Sequence, residues 1–115
     1  MKLFSYSSCS TCRKAISWLH RNEIDFELID LIENPPSKEI LISASKEYGD
    51  RKYLLNTTGA AYRLIGAEAV KKMNDKEFFE RLHKEPKLIK RPLLCSKDNL
   101  FLIGFKEGKW VEKLL

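Results

Sequence analysis

The sequence predicts an α/β fold of order βαβ…ββα, a mixed four-stranded sheet with helices inserted between its two halves. Three observations predict it. Residues 2–29 read as strand, helix, strand, the pattern of a parallel βαβ unit. From Asn34-Pro35-Pro36-Ser37, a strong turn signal, helical patterns run as far as Pro86. Two apolar runs, Pro92–Ser96 and Leu100–Ile103, are then joined by Lys97-Asp98-Asn99 as in a β-hairpin.

Lys2–Tyr6 mixes apolar Leu3, Phe4 and Tyr6 with polar residues and reads as a short strand. After Ser7-Ser8 comes Cys9-Ser10-Thr11-Cys12, where Ser8, Ser10 or Thr11 can cap a helix. Cys12, Ala15, Ile16 and Leu19 then fall at i, i+3, i+4, i+7 on one helical face, and the helix should stop near Asn22. Asp25–Ile29 alternates, with Phe26 and Leu28 on one side. Ser37 can cap a helix to about Glu47 that carries Ile40, Leu41 and Ala44, and Gly49-Asp50 breaks it. Residues 51–73 read as short helices, and Asn74-Asp75-Lys76-Glu77 resembles a capping box ahead of Phe78, Phe79 and Leu82. The last helix, Lys106–Leu115, carries Trp110, Val111 and Leu114 on its apolar side.

A chain of 115 residues predicts one domain over 1–115, with the helical insertion at about 37–85. With 43% hydrophobic and 32% charged residues, the composition suits a soluble protein with a real core. No apolar run approaches the roughly 20 residues of a membrane span. The segment Met1–Tyr6 is too short and too polar for a secretory signal, so a cytoplasmic location and no membrane partner are expected. A net charge of +5 favours anionic partners, but the basic residues are interleaved with Glu and Asp, so direct nucleic-acid binding is not expected.

The chemistry points to Cys9 and Cys12. Three cysteines in a reducing compartment are more often catalytic, metal-bound or buried than structural disulfides. Cys9 falls just before a helix, where unpaired backbone N–H groups and the helix dipole stabilise a thiolate. Arg13 and Lys14 add positive charge, and Ser10 and Thr11 can donate hydrogen bonds to the sulfur. Cys12 lies one turn later, within reach of a disulfide, so Cys9 would attack and Cys12 would resolve. The alternative for Cys12 is a core residue, since it shares the apolar face. Zinc is not expected, because His20, His83 and Cys95 lack ligand spacing and the two histidines read as surface helix residues. Cys95 reads as a buried thiol, with a role as an extra resolving thiol as the alternative. Lys90-Arg91-Pro92 precedes a strand, where Pro92 is allowed and a cis bond would bring backbone close to the cysteines. Arg91 reads either as an anion clamp or as a surface charge.

Three segments carry a resemblance: residues 6–15 around Tyr6-Ser7-Ser8-Cys9-Ser10-Thr11-Cys12, Leu55–Arg63 with Asn56-Thr57-Thr58-Gly59, and Pro86–Leu94 with Ile89-Lys90-Arg91-Pro92, followed by Ile103-Gly104-Phe105. In these the chain resembles the arsenate reductase (ArsC)/Spx family over nearly its whole length. The resemblance implies a thioredoxin-like fold with a helical insertion, Cys9 as nucleophile, Pro92 as a facing cis-proline, and Arg63 and Arg91 as two of three oxyanion-binding arginines. Where arsenate reductases carry the third arginine, this chain has Gly104-Phe105, which weighs against arsenate as substrate. Those enzymes also lack a counterpart of Cys12 and borrow glutathione, so the Cys9–Cys12 pair resembles the Spx branch. Spx proteins bind the C-terminal domain of the RNA polymerase α subunit, and Gly49, in Glu47-Tyr48-Gly49-Asp50, resembles their interface glycine. This chain, however, ends soon after its last helix.

The expected function is therefore that of an arsenate reductase-like thiol–disulfide redox protein, a monomer with no bound cofactor, reduced by glutathione, glutaredoxin or thioredoxin. Two alternatives stand beside it, an Spx-like redox-sensing regulator that binds the polymerase α subunit and a glutathione- or glutaredoxin-dependent arsenate reductase.

Overall fold

The computed structural model describes residues 1–115. Its sheet is built from β1 (Lys2–Ser5), β2 (Glu27–Asp30), β3 (Leu93–Cys95) and β4 (Phe101–Ile103), in the spatial order β2-β1-β3-β4. β1 and β2 are parallel, joined by the crossover helix α1 (Ser10–Arg21). β1 pairs antiparallel with β3, and β3 with β4, so the sheet is mixed as the sequence predicts. The other helices are α2 (Lys38–Tyr48), α3 (Ala60–Ile65), α4 (Ala67–Lys72), α5 (Asp75–Lys84) and α6 (Glu107–Leu114), with 3-10 turns at Arg51–Leu54 and Pro86–Leu88.

Strand alternation sorts the core into two layers. Leu3, Leu94 and Leu102 pack with Ala15, Trp18 and Leu19 of α1 and Trp110 of α6. The intervening residues Phe4, Leu93, Phe101 and Ile103 face the other way, onto Leu41 and Ala44 of α2 and Phe78, Phe79 and Leu82 of α5. Helices therefore cover both faces of the sheet.

Local signals explain the helix ends. Ser37 accepts from the Ile40 N–H at 3.2 Å, and Gly49 ends α2 in the left-handed region at φ +83°. Asn74 and Glu77 form a reciprocal capping box on α5. Pro86 opens the 3-10 turn that follows.

Two apolar faces are only partly covered. Leu28 is 57% exposed, because β2 is the edge of the sheet and only its Ile29 packs against the larger core layer. The side shared by Phe26 and Leu28 is thus only partly covered. Val111 is 42% exposed, since α6 docks through Trp110, whose indole Nε1–H donates to the Gly104 carbonyl at 3.1 Å. His83 is not a plain surface residue either: its Nδ1 lies 2.9 Å from the Pro36 carbonyl and ties α5 to the turn before α2.

At the opposite edge one outward amide is already taken. In the β3–β4 register the Ile103 N–H points away from β3, and the Tyr48 hydroxyl accepts from it at 2.9 Å.

Candidate active site

The site forms where β1 hands over to α1. The residue that caps α1 is Cys9 itself, not Ser8, Ser10 or Thr11. An N-cap side chain accepts from the third helical N–H. Here that donor is Cys12, whose backbone nitrogen lies 3.3 Å from Cys9 Sγ. The turn before the helix is fixed by the Cys9 N–H donating to the Tyr6 carbonyl at 3.0 Å and by Arg13 Nη1 donating to the Ser7 carbonyl at 2.9 Å.

The two sulfurs are held in opposite states. Burial pushes the Cys9 thiol up, but donation from the Cys12 side chain and backbone, the Arg91 charge and the Thr11 N–H outweigh it, and the net shift is downward. The supporting donors are backbone and thiol groups, not the Ser10 and Thr11 hydroxyls that the sequence suggested. The cation acting on Cys9 is Arg91, whereas Arg13 is spent on the turn. Cys12 is fully buried. Its thiol is pushed up to about 11, first by burial and then by the hydrogen bond it gives to Cys9. A Ser5 hydroxyl and the Tyr6 backbone offset part of that rise.

Arg91 reaches the thiol from the other half of the chain. Its peptide bond to Pro92 is cis. Lys90 N–H donates to the Leu54 carbonyl at 2.7 Å, and Leu55 and Ile89 form an antiparallel bridge, so the insertion braces this segment. The Gly104 N–H donates to the Pro92 carbonyl at 2.8 Å. Arg91 Nη1 donates to the carbonyls of Lys87 at 3.0 Å and Ile89 at 3.4 Å, and the guanidinium lies 4.9 Å from the Tyr6 ring centre.

Of the residues singled out in the sequence, the structure brings together Cys9, Cys12, Thr11 and Arg91, with Pro92 next to Arg91. Arg63 sits on α3 and is exposed, and its Nη1 donates to the Thr58 carbonyl at 2.8 Å. Ser10, Arg13 and Lys14 line a shallow cleft along α1 that also includes Phe105. Cys95 is buried, 8% exposed, at the far end of β1 opposite Lys2, with its thiol pushed up by burial. Sequence reasoning missed Ser5 and Tyr6. The signal for Ser5 was a hydroxyl in an otherwise apolar strand; nothing in the sequence linked Tyr6 to Arg91.

The chain is similar to known proteins in sequence and in fold. The ArsC family profile matches residues 4–113. A Bacillus subtilis protein, YusI, described as uncharacterized, is 36% identical over 114 residues, covering 97% of this chain and 96% of its own. The global transcriptional regulator Spx of Streptococcus pyogenes is 28% identical over 108 residues, covering 93% of this chain and 79% of Spx. An ArsC-family-related protein of Bacteroides fragilis superposes with a TM-score of 0.87 at 30% identity, covering 96% of this chain and 94% of that one. One from Streptococcus mutans, described as a possible arsenate reductase, superposes with a TM-score of 0.83 at 31% identity, covering 91% and 90%. The sheet order and the helices between β2 and β3 are those of a thioredoxin-like fold, and with the profile matching almost end to end, the chain belongs to the ArsC family.

Proposed function

We propose that the protein is a thiol–disulfide redox protein in which Cys9 is the nucleophile and Cys12 the resolving thiol. The observation that carries this is the opposed pair: Cys9 is biased toward thiolate while Cys12, 3.3 Å away through its backbone nitrogen, is held as a thiol. The thiolate is the attacking form.

The Cys9 thiolate attacks one sulfur of a substrate disulfide. The S–S bond breaks, one half leaves as thiolate, and Cys9 forms a mixed disulfide with the other half. Capping Cys9 removes its negative charge and its capacity to accept from Cys12. Two of the causes that raise the Cys12 thiol thereby disappear. Cys12 then loses its proton, attacks Cys9 Sγ and releases the second thiolate. The substrate gains two electrons and the protein ends with a Cys9–Cys12 disulfide. A cellular thiol (glutathione, glutaredoxin or thioredoxin) supplies the two electrons that reopen it.

A second reading, a redox-sensing regulator, is favoured by the match to Spx over 93% of this chain. In it the same disulfide would switch binding to the RNA polymerase α subunit. Arsenate reduction is the third reading, resting on Arg91 beside Cys9 and on the family.

The test is mass spectrometry of protein equilibrated across glutathione redox buffers. A loss of two hydrogens mapping to Cys9–Cys12, at a potential in the cytosolic range, supports the redox pair. Arsenate turnover and binding to the polymerase α C-terminal domain then separate the three readings. If no Cys9–Cys12 disulfide forms, the redox reading fails.

A further inference from the structure

Tyr6 meets the candidate site from two directions. Its carbonyl accepts the Cys9 N–H at 3.0 Å, which fixes the backbone of the cysteine that caps α1. Its ring lies under the Arg91 guanidinium, with 4.9 Å between the guanidinium carbon and the ring centre. A flat guanidinium stacks on an aromatic face by cation–π and dispersion attraction, which selects one of the many rotamers open to a long side chain. The two carbonyls that hold Arg91 Nη1, those of Lys87 and Ile89, tether that nitrogen but belong to the segment leading into Arg91 itself. The Tyr6 ring, by contrast, ties the guanidinium to the strand-to-helix turn that carries Cys9.

We propose that Tyr6 is a positioning residue for the thiol site: one residue holds the Cys9 backbone through its carbonyl and the Arg91 guanidinium through its ring, and so sets the distance between charge and sulfur. This rests on the reading of Cys9 as nucleophile and Arg91 as its cation. The ring is the working part, because the recorded contact to Arg91 is with its face. Phenylalanine should therefore serve as well as tyrosine, while an aliphatic side chain of similar bulk should not.

The experiment is the rate of Cys9 alkylation by iodoacetamide across pH, followed by mass spectrometry of the Cys9 peptide. The proteins compared are the wild type, Tyr6→Phe, Tyr6→Leu, Arg91→Gln and the Tyr6→Leu/Arg91→Gln pair. Tyr6→Phe should match the wild type. Tyr6→Leu should alkylate about two- to fivefold more slowly at pH 6, the range expected for loss of one partly exposed cation–π contact. In the Arg91→Gln background, Tyr6→Leu should add nothing. A purely structural role for Tyr6 would give the same slowing with and without Arg91, and that result overturns the proposal, as does a Tyr6→Leu profile that overlays the wild type. Failure of the underlying reading looks different: the wild-type Cys9 itself would then alkylate with the pH profile of an ordinary thiol.

Discussion

The Cys12 backbone nitrogen lies 3.3 Å from Cys9 Sγ, so the residue that would close a disulfide with Cys9 already holds its sulfur while both are reduced. The capping geometry of α1 and the proposed chemistry are thus the same contact. Since the Cys12 thiol also donates to Cys9, replacing Cys12 should change Cys9 before any disulfide is involved.

Cys12→Ala keeps the backbone donor and removes the thiol donor. A hydrogen bond to a charged group contributes more than a neutral one, though partial exposure weakens it here. Alkylation of Cys9 at pH 6 should slow by about threefold or more. Rate measurements on the fully reduced proteins check this, and an unchanged rate would show that the Cys12 thiol does not support the thiolate.

Arg91 acts on Cys9 through charge, and charge is screened by salt. Raising ionic strength from about 0.05 to about 0.5 M should slow Cys9 alkylation at pH 6 in the wild type. Arg91→Gln should be slower at low salt and nearly insensitive to added salt. Equal salt sensitivity in both proteins would assign the effect to other charges.

The Cys12 thiol predicts an alkaline weakness. Its folded pKa, about 11, lies above the unfolded value of roughly 8.5. The folded state therefore binds the proton more tightly, so its contribution to stability is complete below about pH 8.5 and declines as pH rises towards 11. Thermal unfolding of the reduced protein should lose more stability between about pH 8.5 and 10.5 than Cys12→Ala does. Parallel curves for the two proteins would contradict the raised pKa.

Gly104 has φ +73°, and a Cβ there would sit 3.0 Å from Lys90 Cε. Gly104→Ala should cost about 1–2 kcal/mol from the left-handed backbone alone. Adding Lys90→Ala should recover only the part due to the contact. Urea unfolding of the single and double variants separates the two terms, and full recovery in the double variant would mean that the backbone is not strained.

What the sequence made legible is what depends on neighbours along the chain. Ser37 with Ile40 and Asn74 with Glu77 are caps closed within four residues, and both form as read. The order of strands and helices followed from hydrophobic period and turns. The exposure of Leu28 and Val111 was not legible, because period marks an apolar face but not whether anything covers it. Only the sheet order reveals that β2 is an edge, and only the docking of Trp110 fixes the rotation of α6. Cys9 and Cys12 stood out by motif, and Arg91 by the resemblance, but spacing alone favoured Arg13, which is near in sequence, over Arg91, which arrives from the segment before β3.

The Tyr48 hydroxyl on the Ile103 N–H bears on how copies of this protein can meet. A strand rim with free amides is a template for another chain, and β4 has one of its amides already taken by α2's last residue. A chain pairing with β4 through this amide would first have to break the bond to Tyr48. The last turn of α2 and the outer rim of the sheet are thus tied together, so extension of the sheet past β4 is opposed from within the fold.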